Sequence, residues 1–407
     1  MTAQAKLATI RTIPRLATGG AAGRPVVMQV LPSLVTGGVE RGTIDVAAAI
    51  VAAGGKAIVV SSGGPMVREL ERAGALHVTR PVNSKNPLVM QRNVARLIRL
   101  IDEHDVDIVH ARSRAPAWSA WRAARRKGVA FVTTFHGTYA HSSPLKRWYN
   151  AVMLKGDRVI AISHFIADHI REAYKLDNPA RVRVIHRGVD LDLFSPERVT
   201  PERLIALVEH WRVTEGMPVV MLPGRLTAWK GQRLLIEALG RLGRTDIRCL
   251  LVGSDQGRHA YRRSLQKLIE HLGLTGVVQI ADHCRDMPAA YMLADVVVSA
   301  STDPEAFGRV AAEAQAMGRP VVASDHGAAR ETVVSGKTGL LFTPGDAEAL
   351  ALAIAETLAL DSGAREALAA KAMAHIRANF TKEKMCAETL ALYRELMEER
   401  AAAAAAP

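Results

Sequence analysis

Cysteine is scarce in this chain of 407 residues: Cys249, Cys284 and Cys386 stand far apart, with no CxxC pair and no histidine at zinc-ligand spacing. That excludes a disulfide framework and a structural zinc module, and it fits a reducing cytoplasm. Long hydrophobic runs are missing too. A spanning helix needs roughly 18–20 uninterrupted apolar residues, and Gly, Arg, Asp or Lys breaks every candidate, so nothing is expected to cross a bilayer. Residues 1–24 carry Lys6, Arg11 and Arg15 without a continuous apolar core before a cleavage site, and read as a loose arm rather than a signal peptide. No G-x-G-x-x-G is present, which removes the best support for a nicotinamide enzyme. Gly336-Lys337-Thr338 looks like the end of a P-loop, but Glu331 stands where the first anion-cradling glycine belongs. Aromatics are only 4%, yet hydrophobic types at 49% and charged types at 23% are ordinary for a globular chain and exclude disorder and collagen.

What is present begins with an uneven charge. Residues 1–190 hold 28 basic and 13 acidic side chains, while the remainder hold 25 and 27, so the whole excess of +13 comes from the first half. That half is expected to meet something anionic: a membrane surface, a nucleic acid or a phosphorylated substrate. From Val26 onward, short Val- and Ile-rich runs alternate with segments of helical period, the pattern of parallel sheets with crossover helices. Strands are predicted at 26–31, 57–61, 108–111, 131–135 and 158–162, then at 219–223, 249–252, 277–281, 296–300, 321–324 and 339–342. The Asp- and Pro-containing interval near residue 190 suits a linker, giving two doubly wound domains.

Ligands of such sheets bind at the carboxyl ends of the strands. After the first strand, Gly37-Gly38 precedes a helix, where two residues without Cβ let amides approach an anion; a plain strand-to-helix turn explains the pair as well. After the strand at 219–223 come Arg225 and Lys230, placed either to reach one diphosphate or to sit as solvated cations. The stretch from Ser301 to Glu313 puts Glu305 in a loop before a helix predicted to start near Phe307. The amides of Phe307, Gly308 and Arg309 then face an anion, and Glu313 is set to accept from a vicinal diol. Taken alone, Glu313 reads better as a half-exposed helix residue than as a ligand.

Together, Gly37-Gly38-Val39-Glu40, Phe135-His136-Gly137, Gly224-Arg225 with Lys230-Gly231, and Glu305 with Glu313 resemble, in this order, the retaining GT-B glycosyltransferases. The match is nearest to family four (glycosyl transferases group 1) of the bacterial lipopolysaccharide and exopolysaccharide type, over Val26 to about Tyr393. The resemblance implies two Rossmann-like α/β domains facing across a cleft. These are an acceptor-binding domain over 25–190 and a nucleotide-sugar-binding domain over 191–380, with a helix over 381–400 packing back on the first and a tail over 401–407. It implies that Lys230 and Arg225 neutralise the diphosphate and that Glu313 binds the ribose. Glu305 and the amides after it approach the donor sugar, Gly37 and Gly38 contact phosphate, and His136 lies beside the sugar. Arg187, where Asn is usual, and Arg309, where an apolar residue is frequent, depart from the pattern.

The implied activity is transfer of a sugar from a nucleotide diphosphate to a glycan or glycolipid of the cell envelope, with retention and without a metal or other cofactor. The Asp190-x-Asp192 and Asp105-x-Asp107 pairs lie away from the carboxyl edge. His164 and His169, five apart, do not share a helix face, so zinc is not expected. Nine cations, Arg112, Arg114, Arg122, Arg125, Arg126, Lys127, Lys146, Arg147 and Lys155, surround Trp118, Trp121, Trp148 and Tyr149. They suit a peripheral place on the anionic inner face of the plasma membrane, or else a solvated surface over buried tryptophans. A 2-epimerase or phosphorylase of the same fold is the runner-up. A nucleic-acid-binding module finds no RNA or DNA motif to support it, so no nucleic-acid partner is expected.

Overall fold

The computed structural model describes residues 25–35, 37–139, 143–174 and 178–405, so the arm expected over 1–24 lies outside them. The chain forms two compact units: unit 1, Met1–Gly188 with Lys382–Pro407, and unit 2, Val189–Thr381.

Unit 1 holds seven parallel strands: β1 (Val26–Val30), β2 (Lys56–Ser61), β3 (Leu76–Thr79), β4 (Ile108–Ala111), β5 (Ala130–Phe135), β6 (Arg158–Ala161) and β7 (Val182–Val184). Their order is β3-β2-β1-β4-β5-β6-β7, so the winding reverses between β1 and β4. β4 and β5 are buried at every position, as the inner strands of a covered parallel sheet are, with His110, Thr133 and Thr134 as their buried polar members. Two strands escape the periodicity. β3 and β7 are short edge strands, part-exposed throughout, with His77, Thr79 and Arg183 interrupting the apolar signal.

The helix Lys382–Ala405 belongs to this unit. Met385, Cys386, Leu390, Leu392, Tyr393 and Leu396 join its core, a spacing that keeps one face of the helix inward. Each large apolar side chain so buried contributes roughly 1.5–3 kcal/mol. Glu395 adds ion pairs to Arg158 (3.0 Å) and Arg183 (2.7 Å). The helix runs past the expected end at residue 400 to Ala405, because alanine, the strongest helix former, needs no tertiary partner to continue a turn.

Unit 2 repeats the winding with β8 (Val219–Pro223), β9 (Arg248–Val252), β10 (Val278–Ala281), β11 (Val296–Ser299), β12 (Val321–Ser324) and β13 (Leu340–Phe342), ordered β10-β9-β8-β11-β12-β13 and all parallel. Its reversal falls between β8 and β11. The loops that leave these two strands therefore lie where doubly wound sheets bind ligands. Among the described residues no helix is long and apolar enough to cross a membrane.

Candidate functional site

In unit 2 the turn Ala228–Lys230 after β8 ends on Gly231, whose φ is 75°. A Cβ at Gly231 would run into the carbonyl of Ala300 at the end of β11, so the missing side chain lets the turn dock against that strand end. The docking brings Lys230 onto Glu305: Nζ and Oε1 form an ion pair with the side chains only 16% and 14% exposed. The same Oε1 accepts from the Ser301 hydroxyl at 2.6 Å, and the ammonium lies 4.4 Å from the Trp229 ring centroid. Arg225 is not brought to this pair. Its side chain is exposed, and its contribution here is a backbone carbonyl that accepts from Gln232 at 2.9 Å.

The second helix of the site starts later than expected. Gly308 takes φ 80° as the N-cap, and the helix is Arg309–Ala316, opening without a side-chain cap. Phe307 turns inward, 3% exposed, and packs edge-on against Phe380 at 5.7 Å, so it serves the core before the helix begins. Glu313 is then one turn into the helix and 8% exposed, not half-exposed. Its two oxygens are already engaged: Oε1 accepts from Arg309 at 2.6 Å and Oε2 from the Tyr291 hydroxyl at 3.0 Å. Burial, and then the neighbouring carboxylate of Glu313, push the Tyr291 phenol well above its ordinary pKa, so it remains a donor. The departure at Arg309 thus has a local task, holding Glu313. Sequence reasoning passed over Tyr291, Ser301 and Trp229. Tyr291 lies 22 residues from Glu313 on another helix, and no spacing rule connects them.

In unit 1, Gly37 (φ 145°) precedes the helix Gly38–Ala52. Arg187 donates to the Gly38 carbonyl and occupies the space a Cβ on Gly42 would need. Arg112, expected on the surface, is 4% exposed and donates through Nε to Gln29 Oε1 at 2.9 Å. His136 follows β5. Its ring is part-exposed while Nε2 is sealed, without a hydrogen-bond partner among the described residues. Burial first, then Arg187 and Arg112, hold its pKa well below the ordinary histidine value, so the imidazole is neutral. His110, fully buried, sits between Tyr393 (2.5 Å) and Thr134 (2.7 Å), and burial first, then Arg112 and His136, hold its pKa well below the ordinary value and keep it neutral. The expected unit 1 residues Gly37, Gly38 and His136 therefore gather around a cationic interior at the ends of β1, β4 and β5.

Two family models match the chain, Glycosyltransferase Family 4 over residues 36–193 and Glycosyl transferases group 1 over residues 207–375. A D-inositol 3-phosphate glycosyltransferase of Xylanimonas cellulosilytica is 31% identical over 318 residues, 73% of either chain. A GDP-mannose-dependent phosphatidylinositol monomannoside mannosyltransferase of Mycolicibacterium smegmatis is 32% identical over 279 residues, 65% of this chain and 70% of that one. Among solved structures, a glycosyltransferase of Rickettsia africae superposes with TM-score 0.86 at 39% identity, covering 92% of this chain and 99% of that one. HepE of Anabaena, in complex with UDP and glucose, superposes with TM-score 0.79 at 27% identity over 90% and 99%. With its two Rossmann-like sheets and these matches, the chain belongs to the GT-B glycosyltransferases, with a family 4 model in its first half and a group 1 model in its second.

Proposed function

We propose that unit 2 binds a nucleotide-sugar donor and that the enzyme transfers its sugar, with retention, to a glycan or glycolipid of the cell envelope. The observation that carries this is the constellation at the ends of β8 and β11: Lys230 paired with Glu305, beside a glycine-capped helix whose Glu313 is held by Arg309 and Tyr291. Breaking a sugar–diphosphate bond puts negative charge on phosphate oxygens. A preorganised ammonium and an uncapped helix N-terminus stabilise it without a metal. Lys230 exchanges Glu305 for the diphosphate when the donor binds, which frees the Glu305 carboxylate to accept from a sugar hydroxyl. Arg225, exposed and flexible in rotamer, swings onto the same diphosphate. Each oxygen of Glu313 keeps a lone pair beyond its present partner, enough to accept from one ribose hydroxyl apiece. In unit 1, Gly37 and Gly38 leave the backbone open to the close approach of an anion, and His136 at the end of β5 is held neutral.

The relatives support this class by name. One acts on D-inositol 3-phosphate and one on a phosphatidylinositol mannoside, so a phosphorylated polyol or its lipid joins the lipopolysaccharide core and exopolysaccharide precursors as an acceptor class to assay. The test is a thermal-shift panel of UDP-, GDP- and ADP-sugars, followed by NMR of the product anomer with the donor that stabilises. Retained configuration supports the reading, inversion removes the retaining part, and no stabilisation by any nucleotide sugar overturns it.

A further inference from the structure

Between Asp107 and Asp157 the sequence contains no acidic residue and nine Lys and Arg. Three of the nine have local tasks: Arg112 is buried on Gln29, Arg114 donates to Asn150 at 3.0 Å, and Lys127 pairs with Asp102 at 2.5 Å. The other six, Arg122, Arg125, Arg126, Lys146, Arg147 and Lys155, are exposed and form no ion pair among the described residues. They flank a row of aromatic rings. Trp118, 8% exposed, is the floor of the row, its indole N–H donating to the Tyr149 carbonyl at 3.1 Å. Trp148 stacks on it at 4.7 Å and Trp121 meets it edge-on at 6.2 Å. Arg122 lies 5.9 Å from the Trp118 ring, while Arg125 (5.9 Å) and Lys155 (5.6 Å) lie over Trp121.

Trp148, at the outer end of this row, is left open to solvent by the described residues. The short helix Pro144–Asn150 carries Leu145 at 74% exposure and Trp148 at 61%, three residues apart and so on one helical face. A large aliphatic and an indole held outward, in a stretch of sequence with nine cations and no acidic residue, match an interface that is apolar inside and anionic at its rim. Nucleic acid would use the cations and the ring, but Leu145 would gain nothing from it.

We propose that this face of unit 1 docks on an anionic phospholipid bilayer, Leu145 and Trp148 entering the headgroup–acyl boundary while Arg122, Arg125, Lys146, Arg147 and Lys155 meet the phosphates. The proposal supplies the surface on which a lipid-linked acceptor of the proposed reaction resides. It needs no donor, so vesicle binding and sugar transfer fail independently.

The test is sedimentation of the full chain with vesicles of phosphatidylcholine alone or mixed with phosphatidylglycerol, with the fold of every variant checked by its melting curve. The wild type pellets with the mixed vesicles only, and is released as salt rises and the Debye length falls from ~10 Å at 0.1 M to ~3 Å at 1 M. Leu145→Ser, at a side chain too exposed to matter for folding, weakens partition by roughly tenfold. Arg122→Glu with Arg125→Glu and Lys155→Glu abolishes pelleting. The charge-matched triple Arg68→Glu, Arg72→Glu and Arg99→Glu, elsewhere on the unit, leaves most of it. A wild type that stays in the supernatant at low salt overturns the proposal. So does equal loss in both triples, wild-type partition by Leu145→Ser, or binding to duplex DNA as tight as to the mixed vesicles.

Discussion

The two units share one winding and differ in what they place at the ends of equivalent strands. Unit 1 holds 32 basic and 17 acidic side chains, a net +15, against 21 and 23 in unit 2, a net −2. The contrast reaches the interior. Where unit 1 turns back between β1 and β4 it buries Arg112 and Arg187 around neutral His110 and His136. At its own reversal unit 2 places Glu305 and Glu313, each bound to a cation and to a hydroxyl. The fold sets where chemistry occurs, and the side chains at the strand ends decide which charge is available there. In unit 1 the interior cations donate to Gln29 and to the Gly38 carbonyl, whereas in unit 2 a phosphate-bearing ligand must compete with carboxylates already in place.

The largest expected effect breaks that competition. Lys230→Ala removes the one cation that unit 2 holds against Glu305, and transfer should fall by about a hundredfold or more, the scale of losing one preorganised group that stabilises transition-state charge. The melting temperature should fall only modestly, since the Ser301 hydroxyl still donates to Glu305 once the ammonium is gone. A folded variant with wild-type kcat would mean that Glu305 merely shields an idle lysine.

Next in size is a difference between the units under acid. His110 and His136 are held well below the ordinary histidine value, so their stability contribution is complete above about pH 6.5 and is lost as the pH falls through the depressed values. In that window the unfolded chain takes up protons that folded unit 1 refuses, costing about 1.4 kcal/mol per pH unit for each histidine. Unit 2 titrates elsewhere. Asp286, hydrogen-bonded by Arg203, is held below the ordinary aspartate value, so what it contributes is lost only below about pH 4. Calorimetry at pH 7.5 and pH 5 should therefore show unit 1 weakening first. Equal loss in both transitions, or no relief in a His110→Gln variant, would refute the assignment.

How much of this was legible in the sequence depends on the range of the interaction. The predicted strands at 108–111, 219–223 and 321–324 coincide with β4, β8 and β12, because an inner parallel strand buried on both faces leaves a mainly apolar run. Edge strands β3 and β7 carry no such run. At the candidate site, glycine and charge types after strand ends marked Lys230, Glu305 and Glu313, but their pairing was hidden. Lys230 meets Glu305 across 75 residues only because Gly231 can touch Ala300. Tyr291 and the burial of Arg112 are likewise products of tertiary packing, and a basic residue in a basic segment gives no sign that it points inward.

A smaller effect sharpens the unit 2 side. Tyr291→Phe deletes one neutral donor to Glu313 and keeps the ring that packs 6.0 Å from Phe194. Losing one hydrogen bond to a charged acceptor costs roughly 1.5–3 kcal/mol, part of it recovered as the carboxylate turns to Arg309. Affinity for the free nucleoside diphosphate should fall by about fivefold at most in calorimetry, and Glu313→Gln should cost more. The reverse order would place the ribose on the phenol rather than on the carboxylate.

The smallest expected effect is that of chelation. The aspartate pairs that look like metal ligands have structural work instead. Asp105 takes φ 51° as the C-cap of the helix Pro87–His104, and Asp107 accepts from the Val26 amide at 2.8 Å, locking the start of β1. Asp190 accepts from the amides of Asp192 and Leu193, and Asp192 pairs with Arg198 at 2.7 Å. In the proposed reaction the diphosphate charge falls to Lys230, Arg225 and the helix N-terminus at Gly308. Dialysis against EDTA should then leave the rate nearly unchanged, while Asp192→Asn should alter neither rate nor metal response. A collapse restored by Mg²⁺ or Mn²⁺ would show that the cations of unit 2 do not suffice, and would turn its near-neutral charge from a tolerance of carboxylates into a requirement for a metal to balance them.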